Sequence, residues 1–71
     1  MKGYKFDNFK PEIGEKTCCF KSKSALDRFI SIQSFEYERD MKFWEITGSF
    51  VNDEGGEDGL TLRIEDFKEV E

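Results

Sequence analysis

The sequence predicts an α+β fold: one small domain over residues 1-71, in β-β-α-β-β order, with a mostly antiparallel sheet and one amphipathic helix packed on one face. Three observations lead there. Residues 42–51 are the longest run of strand formers and hold the only tryptophan, with Trp44, Ile46 and Phe50 on one parity and Glu45, Thr47 and Ser49 on the other. Residues 60–67 repeat that alternation, with Leu60, Leu62 and Ile64 set to face the core and Thr61, Arg63 and Glu65 set to face away. Between residues 24 and 34, Ala25, Leu26, Phe29, Ile30, Ile32 and Gln33 fall in a stripe about 160° wide at helical spacing.

In chain order, Lys2, Tyr4 and Phe6 alternate with Met1, Gly3 and Lys5 as a short first strand over 2–6. Residues 7–14 gather turn formers around the only proline, with Phe9 and Ile13 expected to cap the edge of the core. A second strand is predicted over 16–20. There Cys18 and Phe20 share a face, and Cys18 is read as a small buried hydrophobe. Ser24 is the expected helix N-cap, with Asp27 in the first turn, and Ser22 is the competing cap. Residues 35–40 could fold back on 41–44 as a short edge strand through a turn at Arg39-Asp40, with one or both of Tyr37 and Phe43 either exposed as a partner surface or packed in a second small cluster under the loop.

A chain of 71 residues buries only about 60% of the surface its unfolded form exposes. Its core must therefore be aromatic, and eight Phe, two Tyr and one Trp supply the rings. A domain this small leaves little room for a large active-site cavity, which favours a protein that acts through its surface. The opening residues lack the apolar run of a signal peptide, and no segment has the length of a membrane span, so a cytoplasmic chain with no membrane contact is expected. Cys18 and Cys19 are adjacent and cannot bond without a strained peptide, which fits a reduced compartment. With no histidine present, a Cys/His zinc site and a His-activated nucleophile are both excluded within the chain, and neither metal nor cofactor is expected.

Charge is divided unevenly. Residues 1–50 hold nine basic against eight acidic side chains, whereas residues 51–71 hold Arg63 and Lys68 against eight acids, giving +1 and -6. Such acidity repels nucleic acid and attracts basic protein surfaces. The loop at 52–59 carries Asp53, Glu54, Glu57 and Asp58 with three glycines and no base, and is expected to be a solvated hairpin tip available to a partner. A twelve-residue calcium frame begun at Glu54 puts Glu first and Gly third, so it does not match an EF-hand.

Two resemblances rest on particular residues. Residues 1–5, Pro11-Glu12-Ile13-Gly14-Glu15-Lys16, and Cys19-Phe20 followed by Ala25-Leu26-Asp27 resemble short phage or prophage proteins of uncharacterised function, which implies a host or phage protein as partner. Phe20-Lys21-Ser22-Lys23-Ser24 resembles the Ser-x-Ser strand end of ADP-ribosyltransferases, and the acidic loop before Leu60 is similar to the approach to their Glu-bearing strand. That second resemblance implies Ser22 or Ser24 at a nicotinamide ribose and Glu57 as its orienting carboxylate. Lys5 stands where that family offers Arg or His, and Glu54 and Glu57 are three apart where it has Glu-x-Glu. The function expected from the whole chain is non-enzymatic protein binding through Asp53, Glu54, Glu57, Asp58, Tyr37 and Phe43. The alternatives are a degenerate transferase-like enzyme or NAD-binding remnant, and a structural or oligomeric phage component.

Overall fold

The computed structural model describes residues 1–32, 41–53, 56 and 58–70. The elements run β1 (Lys2–Asp7), β2 (Lys16–Phe20), α1 (Lys23–Ile32), β3 (Lys42–Asn52) and β4 (Gly59–Val70). The predicted order and the antiparallel β3–β4 pair are both present. The 35–40 edge strand lies outside the described residues, as do Gln33 of the helix stripe and Ser34 at the predicted end of the helix.

The predicted antiparallel sheet is present, but its closure was not predicted. It closes into a barrel in the order β1-β2-β4-β3, with every neighbouring pair antiparallel. Two glycines permit the closure. A Cβ on Gly3 would collide with the Cys19 sulfur, so only glycine lets β1 cross over β2. A Cβ on Gly48 would strike the carbonyl of Arg63, where the register of β3 on β4 shifts. The β1–β2 seam is the weak one, with Tyr4 opposite Phe20 as its one paired position, whereas β1 pairs with β3 from Lys2 to Asp7.

Cys19, Trp44, Ile46, Leu60, Leu62 and Ile64 fill the interior, and Ile46 and Leu62 are wholly buried. Thr47 opposes Asp66 and Gly48 opposes Ile64, so Glu65 is an extra residue in β4. That bulge flips the side-chain alternation and turns Phe67 inward, where its ring meets Trp44 edge-on at 5.8 Å. A second register shift lies between Phe50 and Asn52. The Trp44 indole N–H donates to the Asp7 carbonyl at 3.3 Å.

A second apolar layer lies outside the barrel, beneath α1. Phe6, Phe43 and Val70 are opposite one another across β1, β3 and β4, on the parity that faces away from the core. The Phe6 and Phe43 rings lie 4.6 Å apart, Phe20 meets Phe29 of α1 at 5.1 Å, and Leu26 is buried. Both parities of a strand can therefore be apolar, because both faces are covered.

Several expectations are corrected. Cys19, not Cys18, is the buried thiol, because the pleat of β2 that faces Gly3 and Leu62 is the one carrying Cys19. Thr61 does not face water; it is buried and shares a hydrogen bond with the Cys18 sulfur at 3.5 Å. Phe50 keeps its position opposite Leu62, but near the end of β3 its ring is 51% exposed. Phe9 and Ile13 are exposed, and Pro11 is the buried residue of that loop. Ile32 is exposed at the last position of α1. The cap of α1 is Ser22: its hydroxyl accepts from the Ala25 amide at 3.1 Å and its carbonyl from the Leu26 amide at 3.2 Å, while Ser24 lies inside the helix.

Candidate functional site

The weak seam opens a cleft beside the helix. Beyond Tyr4 and Phe20, β1 and β2 diverge, and α1 spans the gap, leaving a cavity of about 390 Å³ walled by Phe6, Phe20, Leu26, Phe29, Ile30 and Met41. Its polar rim is Lys5, Asp7 and Thr17. The Lys5 ammonium bridges the seam, donating to the Thr17 hydroxyl at 2.8 Å and lying 3.1 Å from the Asp7 carboxylate. Burial pushes the Asp7 carboxyl up, but the hydrogen bonds from Lys5 and from the Phe9 amide outweigh it and hold it below its ordinary value. A second, more polar cavity of about 360 Å³ lies on the other side of the same bridge, where Lys10, Pro11, Glu12, Glu15 and Lys16 gather near Ile64. The volume and apolar walls of the helix-side cleft are those of a small-ligand or side-chain pocket.

Of the site residues expected from sequence, Tyr37, Glu54 and Glu57 lie outside the described residues. Asp53 and Asp58 are exposed, and both meet Lys21: its ammonium lies 3.7 Å from the Asp53 carboxylate, and its amide donates to the Asp58 carbonyl at 2.8 Å. The acidic tip is thus tied to the entry of α1. Phe43 is at the opposite end of β3 from Asp53 and is half-buried against Phe6, which corrects the exposed-ring expectation and matches the small-cluster alternative. Its face is covered by the Lys23 ammonium, 4.1 Å from the ring centroid, in a cation–π contact. Lys23 also pairs with Asp27 one helical turn on, at 2.8 Å.

The sequence reading missed the Lys5 bridge and the cleft. Lys5 and Asp7 share one side of an extended strand, so their pairing was legible, but Thr17 joins them only where β2 comes beside β1. A further cluster lies on the outer face of the barrel. The Glu45 carboxylate accepts from the Tyr4 hydroxyl at 3.2 Å, with Lys2 at 3.2 Å and Lys68 at 3.7 Å. Burial raises the Glu45 carboxyl, yet Lys2 and Tyr4 outweigh it and lower it below the usual range. Burial and the same carboxylate raise the Tyr4 hydroxyl.

The two thiols differ in kind. Burial pushes Cys19 up to about 11, leaving a protonated thiol inside the barrel, while Cys18 is exposed on the cleft wall. Ser22 and Ser24, the positions matched to a transferase motif, hydrogen-bond each other at 3.2 Å as Ser22 caps α1. Among the described residues no three Cys, Asp or Glu side chains converge as a metal-ligand set, and no helix is long and apolar enough to cross a membrane. Comparison of the chain with family models, with curated proteins and with solved structures finds no match.

Proposed function

We propose that this chain is a small acidic module that acts by binding another protein, without catalysis of its own. The observation that carries the reading is the apolar face of α1. Phe29 and Ile32, one turn apart, are 39% and 73% exposed beside an aromatic-walled cleft, and exposed apolar side chains next to a pocket are the usual anchors of a protein interface. The acidic tip at Asp53 and Asp58, tied through Lys21 to the entry of the same helix, supplies charge that would steer a basic partner toward that face. The sequence resemblance to phage-borne proteins supports a host or phage protein as the partner, and two unpaired thiols support work in the reducing cytoplasm.

The experiment is affinity capture on the immobilised domain, comparing the wild type with a Phe29→Ala/Ile32→Ser variant and with an Asp53→Asn/Asp58→Asn variant. The reading expects one saturable partner that the first variant loses and that the second binds more slowly, with weaker salt dependence. A partner held equally by all three would place the interface elsewhere. Saturable capture absent from every arm would remove the binding reading.

A further inference from the structure

The barrel is closed over only part of its height. β2 pairs with β4 from Lys16 opposite Arg63 to Phe20 opposite Gly59, and Gly14 and Glu15 extend that pairing by one residue through the backbone of Ile64. β4 then continues to Val70 with β3 on one side and, among the described residues, no strand on the other. The direction of its free groups follows from the pairing. Gly48 exchanges hydrogen bonds with Met1, so Gly48, Ile46 and Trp44 address β1, while Thr47, Glu45 and Phe43 address β4. Their partners Asp66, Lys68 and Val70 therefore turn their backbone groups toward β3, and Phe67 and Glu69 turn theirs to the open side. The Phe67 amide agrees with this assignment. It donates to the Asp66 carboxylate at 2.9 Å, a side-chain cap where a neighbouring strand would otherwise accept. The Glu69 amide and the carbonyls of Phe67 and Glu69 have no such cap among the described residues.

We infer that this edge is a strand-addition site for an extended, basic segment of a partner protein. Backbone pairing with the Glu69 amide and the carbonyls of Phe67 and Glu69, and with the Phe67 amide once the added strand displaces its Asp66 cap, would supply the affinity, as in other cases where a peptide completes a sheet. Charge selects the occupant. The free half of β4 carries Glu65, Asp66 and Glu69 against Lys68, all exposed; Glu69 pairs with Lys42 of β3 at 3.5 Å and Glu65 accepts from the Ser49 hydroxyl, so Asp66 and Glu65 are the carboxylates without a cationic partner among the described residues. Lysine or arginine side chains on an added strand would stand beside these carboxylates, whereas a second copy of this edge would bring like charges together. The surface is separate from the exposed face of α1, so this inference stands or falls independently of that reading.

The test uses the intact chain and two short synthetic peptides, one alternating lysine with valine and one alternating glutamate with valine, followed by backbone amide resonances. The lysine peptide should shift the Phe67 and Glu69 amides saturably, with an affinity that falls as salt rises, and the glutamate peptide should not. Glu69→Pro removes an amide that β3 does not use, so the barrel should keep its fold while affinity falls by roughly tenfold or more, equivalent to about 1.4 kcal/mol. If that variant does not fold, the Glu65→Gln/Asp66→Asn/Glu69→Gln variant takes its place; it keeps every backbone group and should lose both most of the affinity and its salt dependence. Equal binding of the two peptides, shifts confined to α1 or the acidic tip, or no shift at all would overturn the inference. Self-association through the same amides without peptide would overturn it as well, by making a second copy the occupant.

Discussion

The interior of the barrel and the layer beneath the helix are both apolar, yet they are built from different residues. Inside, Cys19, Ile46, Leu60, Leu62 and Ile64 surround one tryptophan and are sealed from water. Outside, Phe6 meets Phe43 and Phe20 meets Phe29 as tilted ring pairs, with a lysine over Phe43 and a cleft lined by the other three rings and Leu26. Aliphatic side chains pack a closed space to high density, whereas flat rings can be half covered and still contribute. The difference separates a closed, dry interior from a half-covered aromatic layer that borders an open cleft.

Truncation of the interior is the most severe way to break this comparison. Trp44→Ala should cost about 3–5 kcal/mol and Leu62→Ala about 2–5 kcal/mol, enough to unfold much of a marginal domain. Phe29→Ala, in a ring already 39% exposed, should cost much less in denaturant unfolding. Equal losses from the two layers would show that they form one core.

The joint between the layers is the start of α1. Ser22→Ala should cost about 1 kcal/mol of unfolding free energy and Ser24→Ala only a few tenths, because Ser22 accepts the Ala25 amide. The reverse ranking would move the helix start by two residues. The smallest effect should come from acid. The Asp7 and Glu45 carboxyls are lowered in the folded barrel, so their contribution is fully present above their unfolded values, near pH 4, and is lost as pH falls through the lowered folded values. Asp7→Asn should flatten that acid-side slope in a denaturation series taken below pH 5, leaving a slope from Glu45. An unchanged slope would detach Asp7 from the Lys5 bridge.

Much of this architecture was legible in the sequence. The alternation of Trp44 with Ile46 and of Leu60, Leu62 and Ile64 identified the long hairpin, and the helix was placed within two residues at its start. What was not legible depends on contacts far apart in sequence. Cys18 and Cys19 are identical in chemistry, and only Gly3, sixteen positions earlier, decides which of them enters the barrel. The Glu65 bulge flips the alternation with no local signal, which is why Phe67 points inward. Closure itself depends on the close approaches at Gly3 and Gly48, where the sequence shows only two more glycines. For the candidate site, the tie of the acidic tip to Lys21 and the cation over Phe43 both follow from where the barrel sets α1.

The two-layer account is tested most directly by the reactivity of the adjacent thiols at neutral pH. In the folded protein a thiol reagent should modify Cys18 promptly and leave Cys19 untouched until denaturant is added, when both should react; Cys18→Ser should then show no fast-reacting thiol in the native state. Prompt modification of Cys19, or protection of Cys18, would reverse the faces of β2 and contradict the arrangement of both layers.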